Sequence, residues 1–298
     1  MANIHFGNLA DVFKHVALGE ALDAMRPAEY WESHAGHACY EETATIPPER
    51  LHGIHTFHQL RGASETLRSC AYAGVLGNPG VPLARIPGSP LVARRVLGEN
   101  VRRLLFCDTD AESLVNIRAL VRPAAAGLRE IAPDTLECVP DDGITVLRGA
   151  GMLLPEAWAA STLAFLDPYD LAAASEAGIT PLELACELGN RGIATLVFYS
   201  FADEGRRAGL HERMRQALSK ARLLARAAPG FEGALKVEAG SAAPTQWGFG
   251  LLALNVAGAA AAAMDQKLAA LETLYAGSEL RTPGGIVSGA WRYARAAL

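Results

Sequence analysis

The chain has 298 residues, half of them hydrophobic and a fifth charged, enough to bury a sizeable core without disulfides or a structural metal. Its 27 Lys and Arg against 32 Asp and Glu give a formal net charge of -5, which argues against a protein built mainly to hold nucleic acid through phosphate charge. No apolar run reaches the roughly 20 residues of a membrane span, and the amino terminus lacks the basic and apolar regions of a signal peptide. Cys39, Cys70, Cys107, Cys138 and Cys186 are far apart and form no Cys-x-x-Cys pair, which fits reduced thiols in a cytoplasm.

Apolar residues at helical spacing predict a helix over 8–25, with Asn8 as its cap and Pro27 beyond its end. A strand is expected at 30–33. Residues 44–86 carry scattered Gly and Pro and three histidines, and read as an inserted helical or irregular segment rather than a sheet. From residue 100 the pattern alternates. Strands are expected at 103–107, 135–139, 162–166 and 193–199, separated by helices at 110–121, 143–153 and 179–190. A helix at 204–227, strands at 235–238 and 249–256 and an alanine-rich helix at 258–276 complete the series. Apolar strands alternating with helices predict one α/β domain over the whole chain, doubly wound, with a mostly parallel sheet covered on both faces.

Ligands of such sheets bind beyond the carboxyl ends of the strands, so the residues just after each strand carry the expectation of chemistry. These are His34-Ala35-Gly36, Asp108-Thr109-Asp110, Asp141-Asp142-Gly143, Asp167-Pro168-Tyr169-Asp170 and Tyr199-Ser200-Phe201. An acid after the second strand suits a ribose diol, because a carboxylate accepts from two hydroxyls, and an acid after the third suits an adenine amine. Either Asp108 or Asp110 can fill the first role; Asp108 directly follows the apolar strand. There is no phosphate-binding loop of the Gly-x-x-x-x-Gly-Lys-Ser/Thr type and no complete Gly-x-Gly-x-x-Gly, so the set points to an adenosine ligand without phosphates. Acids at strand ends also cap helices, and that reading stands beside each of them.

The segment His5-Phe6-Gly7-Asn8-Leu9-Ala10-Asp11-Val12-Phe13-Lys14-His15 resembles the amino-terminal signature of the large-subunit ribosomal RNA adenine-N6-methyltransferases. His34-Ala35-Gly36 is similar to their first S-adenosylmethionine (SAM) motif, and Pro87-Gly88-Ser89-Pro90-Leu91 to a later segment. Asp142-Gly143 and Asp167-Pro168 follow in the family's order. The resemblance implies a Rossmann-like class I SAM-dependent methyltransferase fold with a seven-stranded sheet and an inserted helical subdomain at 44–86. It implies that Lys14, His15, His34, Gly36, Asp167 and Pro168 lie at the cofactor, that Asp108 holds the ribose, and that Asp142 faces adenine.

The sequence departs from that family where a base would be methylated. The Asp-Pro-Pro-Tyr run, whose ring stacks on a flipped base, is replaced by Asp167-Pro168-Tyr169-Asp170 with one proline fewer. The first motif has also lost a glycine. The expectation is therefore a SAM-dependent enzyme whose acceptor has changed, with Asp167, Tyr169 and Ser200 as catalytic candidates. It would transfer a methyl group to a small acceptor, or cyclise SAM itself to azetidine-2-carboxylate with release of methylthioadenosine, in the manner of azetidine-2-carboxylate synthases. Ribosomal RNA adenine methylation is the alternative. In the cyclisation, orientation would supply much of the acceleration, and an aromatic face such as Tyr169 or Tyr199 would stabilise the sulfonium.

Blander readings accompany other features. His52, His55 and His58, with Glu49 nearby, suit packing better than a metal site. Tyr169 can equally be a packed turn aromatic. Trp31, Trp247 and Phe249 read as core, and Arg94, Arg95, Arg102 and Arg103 as a solvated helix end.

Overall fold

The computed structural model describes residues 6–121, 131–222, 231–236, 248–276, 279–282, 285–288 and 292–295. The chain opens with helix α1 (Leu9–Met25) and strand β1 (Glu29–Glu32). Next come β2 (Cys39–Glu41) and a run of short helical turns: α2 (Pro48–Arg50), a π-helical turn at Leu51–His55, α3 (Thr56–Leu60), α4 (Glu65–Arg68) and α5 (Ala71–Leu76). After β3 (Arg85–Pro87) and α6 (Ser89–Leu97) the alternation begins: β4 (Arg103–Cys107), α7 (Ala111–Arg118), β5 (Leu136–Val139), α8 (Gly143–Leu153), α9 (Glu156–Ala159) and β6 (Thr162–Leu166). It continues through α10 (Pro181–Asn190), β7 (Ala194–Phe201), α11 (Glu204–Lys220), β8 (Phe231–Lys236), β9 (Gly248–Leu254) and α12 (Gly258–Tyr275). Strands β10 (Glu279–Thr282), β11 (Gly285–Ser288) and β12 (Arg292–Arg295) follow.

The main sheet has eight strands in the order β12-β8-β9-β7-β6-β1-β4-β5. Strands β5, β4, β1, β6 and β7 pair in parallel. Strand β9 runs against β7 and β8 runs against β9, so β8 has the direction of the parallel set. The expected seven strands are thus one too few: β12 adds an antiparallel edge beside β8. Its sequence, Arg-Tyr-Ala-Arg, has no apolar run to announce it, as is common for a short charged edge strand. A second correction concerns the insertion, whose last residues are not irregular. β3 pairs antiparallel with β2 in a separate two-stranded ribbon.

Period-2 alternation in the strands builds both faces of the sheet. Tyr30, Leu104, Phe106, Leu163, Phe165, Leu196 and Phe198 pack with α1, α6 and α12 on one side. Trp31, Leu105, Cys107, Ala164, Leu166, Val197 and Tyr199 pack with α8, α10 and α11 on the other. Ile54, Phe57, Leu67 and Tyr72 of the insertion join the first cluster. Trp31 and Phe249 are buried as expected, while Trp247 lies outside the described residues. The arginines do not form a solvated end. Arg94 is buried and donates to the Gly98 carbonyl at 2.9 Å, and Arg103 pairs with Glu137 at 2.6 Å. Among the described residues no helix is long and apolar enough to cross a membrane.

The chain leaves β1 toward β4 and β5, then crosses to β6 and β7 on β1's other side. This reversal opens a crevice beyond the carboxyl ends of β1 and β6. The start of α8 closes its base: a Cβ on Gly143 would sit 1.8 Å from the Ser33 carbonyl oxygen, so only glycine lets that helix approach the β1 turn. Gly143→Ala is expected to destabilise the chain by about 1–3 kcal/mol, read as a lowered urea midpoint with an unchanged slope.

Candidate functional site

The site begins with the start of α1. The Asn8 side chain caps the helix by accepting from the Asp11 amide at 3.0 Å, and Asp11 reaches back to accept from the Gly7 amide at 2.6 Å. One turn on, Lys14 Nζ lies 2.8 Å from Asp11 Oδ1 and 2.6 Å from Asp167 Oδ2 in the turn after β6. The ammonium also lies 5.4 Å from the centre of the Phe198 ring. Burial disfavours a charge on Lys14, but the two carboxylates more than offset it and hold the ammonium well above its ordinary range. The same competition, burial against Lys14 and the Gly7 amide, leaves Asp11 below the usual carboxylate range.

These groups line a cavity of about 1120 Å³ together with His15, His34, Gly36, Ser89, Asp108, Pro168, Tyr169 and Ser200. The structure therefore brings together nine of the ten residues singled out in the sequence. Gly36 takes φ +57°, a left-handed turn that aims its amide at Asp108 Oδ2, 2.8 Å away. Asp108 Oδ1 accepts from the Asp110 amide at 2.8 Å. Asp110 itself caps α7 through Ser113 and the Glu112 amide, so Asp108 is the acid on the cavity wall. Asp142 is the tenth residue. Its carboxylate caps α8, accepting from the Ile144 amide at 3.2 Å and the Thr145 hydroxyl at 2.6 Å, and it is not among the lining residues. Helix capping wins at that position.

His15 is buried on the inner wall with its edge against Tyr72, and its Nδ1 has no hydrogen-bond partner. Burial, aided by the Lys14 charge, pushes its imidazole down to about 3, so the ring is neutral at physiological pH. Tyr199 is buried, with its hydroxyl 3.3 Å from His211 Nε2. Tyr169 is neither a packed turn aromatic nor part of the inner wall: its side chain is fully exposed at the cavity mouth. The lost proline gives a reason, because a shorter run carries the ring past the cleft. His5 of the amino-terminal signature lies outside the described residues.

Sequence reasoning missed several residues. Glu32, at the end of β1, is fully buried and accepts from the Tyr30 hydroxyl at 2.9 Å and from the Ser89 hydroxyl. Burial raises its carboxyl to about 8, against the pull of those two hydrogen bonds. An acid inside a wholly buried strand is the signal that could have found it. Ser89, Phe198, Arg206 and Arg213 also line the cavity. The three histidines of the insertion face different partners: His55 Nε2 is 2.6 Å from Glu42, His58 Nε2 is 2.8 Å from the Val81 carbonyl, and His52 packs on Tyr275. Among the described residues no group of His, Cys, Asp and Glu is arranged to hold a metal.

No family model matches the chain, and no curated protein matches it. A solved structure does: a Legionella pneumophila protein assigned to DUF519 superposes with a TM-score of 0.65 over 98% of this chain and 98% of its own, at 20% identity. The two proteins share a fold. A SAM-dependent methyltransferase from Agrobacterium tumefaciens overlaps with a TM-score of 0.34 and 15% identity, over 55% of this chain and 53% of that one, too loosely to establish a common fold.

Two outcomes follow from the buried charges. Lys14→Met leaves Asp11 and Asp167 without their shared counter-ion and is expected to cost about 3–5 kcal/mol in chemical denaturation, with Lys14→Met/Asp167→Asn recovering part of it. Glu32, ordinarily near 4.5 and about 8 when folded, keeps a proton that the unfolded chain releases, so its contribution to stability is lost as pH rises between those values. Glu32→Gln is expected to gain on the wild type as urea midpoints are taken from about pH 5 to pH 9.

Proposed function

We propose that the cavity binds SAM and that the chain is a SAM-dependent enzyme acting on a small molecule. The observation that carries this reading is the cavity beyond the carboxyl ends of β1 and β6, at the switch point of the sheet, with Asp11, Asp108, Asp167 and Asp170 on its wall.

The donor set fits such a ligand. Asp108, held by two amides, retains lone pairs for the hydroxyls of a ribose. Asp11, Asp108, Asp167 and Asp170 on the wall favour a cationic nucleoside over a nucleotide phosphate. The π-face of Phe198, which already lies 5.4 Å from the Lys14 ammonium, is suited to a sulfonium. SAM supplies an electrophilic carbon on a positively charged sulfur. Lys14 remains protonated and fixes Asp167, whose other lone pairs can accept from an amine or hydroxyl that is about to react. Ser200, exposed at the end of β7, is placed to orient the same group.

Two reactions use this arrangement. In methyl transfer, the acceptor's lone pair forms the bond to the methyl carbon, the carbon–sulfur pair stays on sulfur, and the acceptor's proton leaves. In cyclisation, the α-amine of the same molecule attacks its γ-carbon, and methylthioadenosine departs with the sulfur electron pair. The resemblance to RNA adenine methyltransferases fits the fold, but the fully exposed Tyr169 gives a flipped base no inner stacking face.

Calorimetry is expected to show SAM binding that weakens at least tenfold in Asp108→Ala, which removes the acceptor proposed for the ribose hydroxyls. Mass spectrometry after incubation with SAM alone separates the reactions. Methylthioadenosine with azetidine-2-carboxylate identifies cyclisation, and intact SAM calls for an acceptor. Absence of SAM binding to the wild type overturns the reading.

A further inference from the structure

We propose that Arg206 and Arg213 form a carboxylate-binding subsite on the outer wall of the cavity. The inference rests on the SAM reading and adds a recognition element to it. The inner wall is already internally partnered. Lys14 sits between Asp11 and Asp167, and Asp108 accepts from two amides. The outer wall is not.

Arg206 and Arg213 lie seven residues apart on α11, two turns along one face, and both line the cavity. Gly209 and Leu210 stand between them on the same face, and Gly209 leaves room beside the apolar Leu210 side chain. The approach of Arg206 to Asp203 is 3.8 Å, in a pair whose side chains are 75% and 54% exposed, and contacts of that kind contribute little. Among the described residues Arg213 makes no hydrogen bond or ion pair; its neighbour Glu212 is taken by Arg215 and Gln216. Asp170 across the mouth accepts from the Ala172 amide at 2.8 Å. The wall thus carries two guanidinium groups with planar donor forks and no strong internal acceptor.

A carboxylate fits that pair better than a phosphate does, because the acids on the same cavity repel a dianion more strongly than a single charge. The carboxylate has two possible sources with one chemistry. It is the aminobutyrate carboxylate of SAM, or that of a separate small acceptor. The first suits cyclisation, where the chain must be folded and anchored. The second suits methyl transfer.

The test uses the full chain and the variant Arg206→Gln/Arg213→Gln. Affinities are measured by calorimetry for S-adenosylhomocysteine, for methylthioadenosine, which lacks the carboxylate, and for benzoate against its neutral isostere benzyl alcohol. A loss of at least tenfold for S-adenosylhomocysteine, with methylthioadenosine unchanged, assigns the subsite to the nucleoside's own carboxylate. Unchanged S-adenosylhomocysteine, with loss of a benzoate binding that benzyl alcohol never showed, assigns it to an acceptor. Retention of both carboxylate affinities in the variant overturns the proposal, and methylthioadenosine binding reports that the variant is folded. If neither nucleoside binds the wild type, the SAM reading fails, and the benzoate measurement on the unliganded protein still decides the subsite.

Discussion

Lys14 reaches from the first helix to the turn after β6 and holds Asp11 and Asp167 together with one ammonium. These groups are 153 residues apart in the case of Lys14 and Asp167, so the contact fixes α1 over the open end of the sheet. The rest of the site follows from it. With α1 in place, the next residue, His15, lies on the cavity wall with Gly7 and Asn8. A charge cluster this enclosed is held only where its partners balance: removing one leaves an uncompensated charge that burial alone would not tolerate.

The same enclosure acts on two neutral groups in opposite senses. Burial pushes His15 down to about 3 and Glu32 up to about 8, so near neutrality the cavity wall holds an unprotonated imidazole, and a protonated carboxyl lies buried behind Ser89. Below about 6.5 an unfolded chain would take a proton on the histidine that the folded one refuses, and above about 4.5 it would release one from the glutamate that the folded one keeps. In the neutral range the cost falls on Glu32, and the cost of His15 grows as the pH drops below about 6.5. Such costs are common where polar groups are arranged for a ligand rather than for the fold.

Much of this was legible in the sequence, and the reason differs by element. The alternation of β4 to β7 with their helices is legible because strands buried on both faces are apolar throughout. Helix α8 is read at its full extent, 143–153, because a capping acid and a glycine mark its start. The site was legible to the extent that it sits at strand ends, as with Asp108 and Asp167. Asp142 was not, because an acid that caps a helix and one that faces a ligand look the same in a chain. β12 and the β2–β3 ribbon were missed for want of an apolar period. Arg206 and Arg213 were not singled out, since nothing local says that a cavity opens beside them.

The turn after β6 shows how a single residue can redirect a site. Asp167 keeps its partner Lys14, and Pro168 still lines the cavity, so the inner end of the turn is preserved. One residue further on, the Tyr169 ring stands fully exposed at the cavity mouth and Asp170 accepts from the Ala172 amide. What is left beside Asp167 is a polar, partly aromatic chamber whose spare charge lies on α11 rather than along a strand-sized groove. On the proposed reading, a chamber of that kind selects a small molecule by its charge.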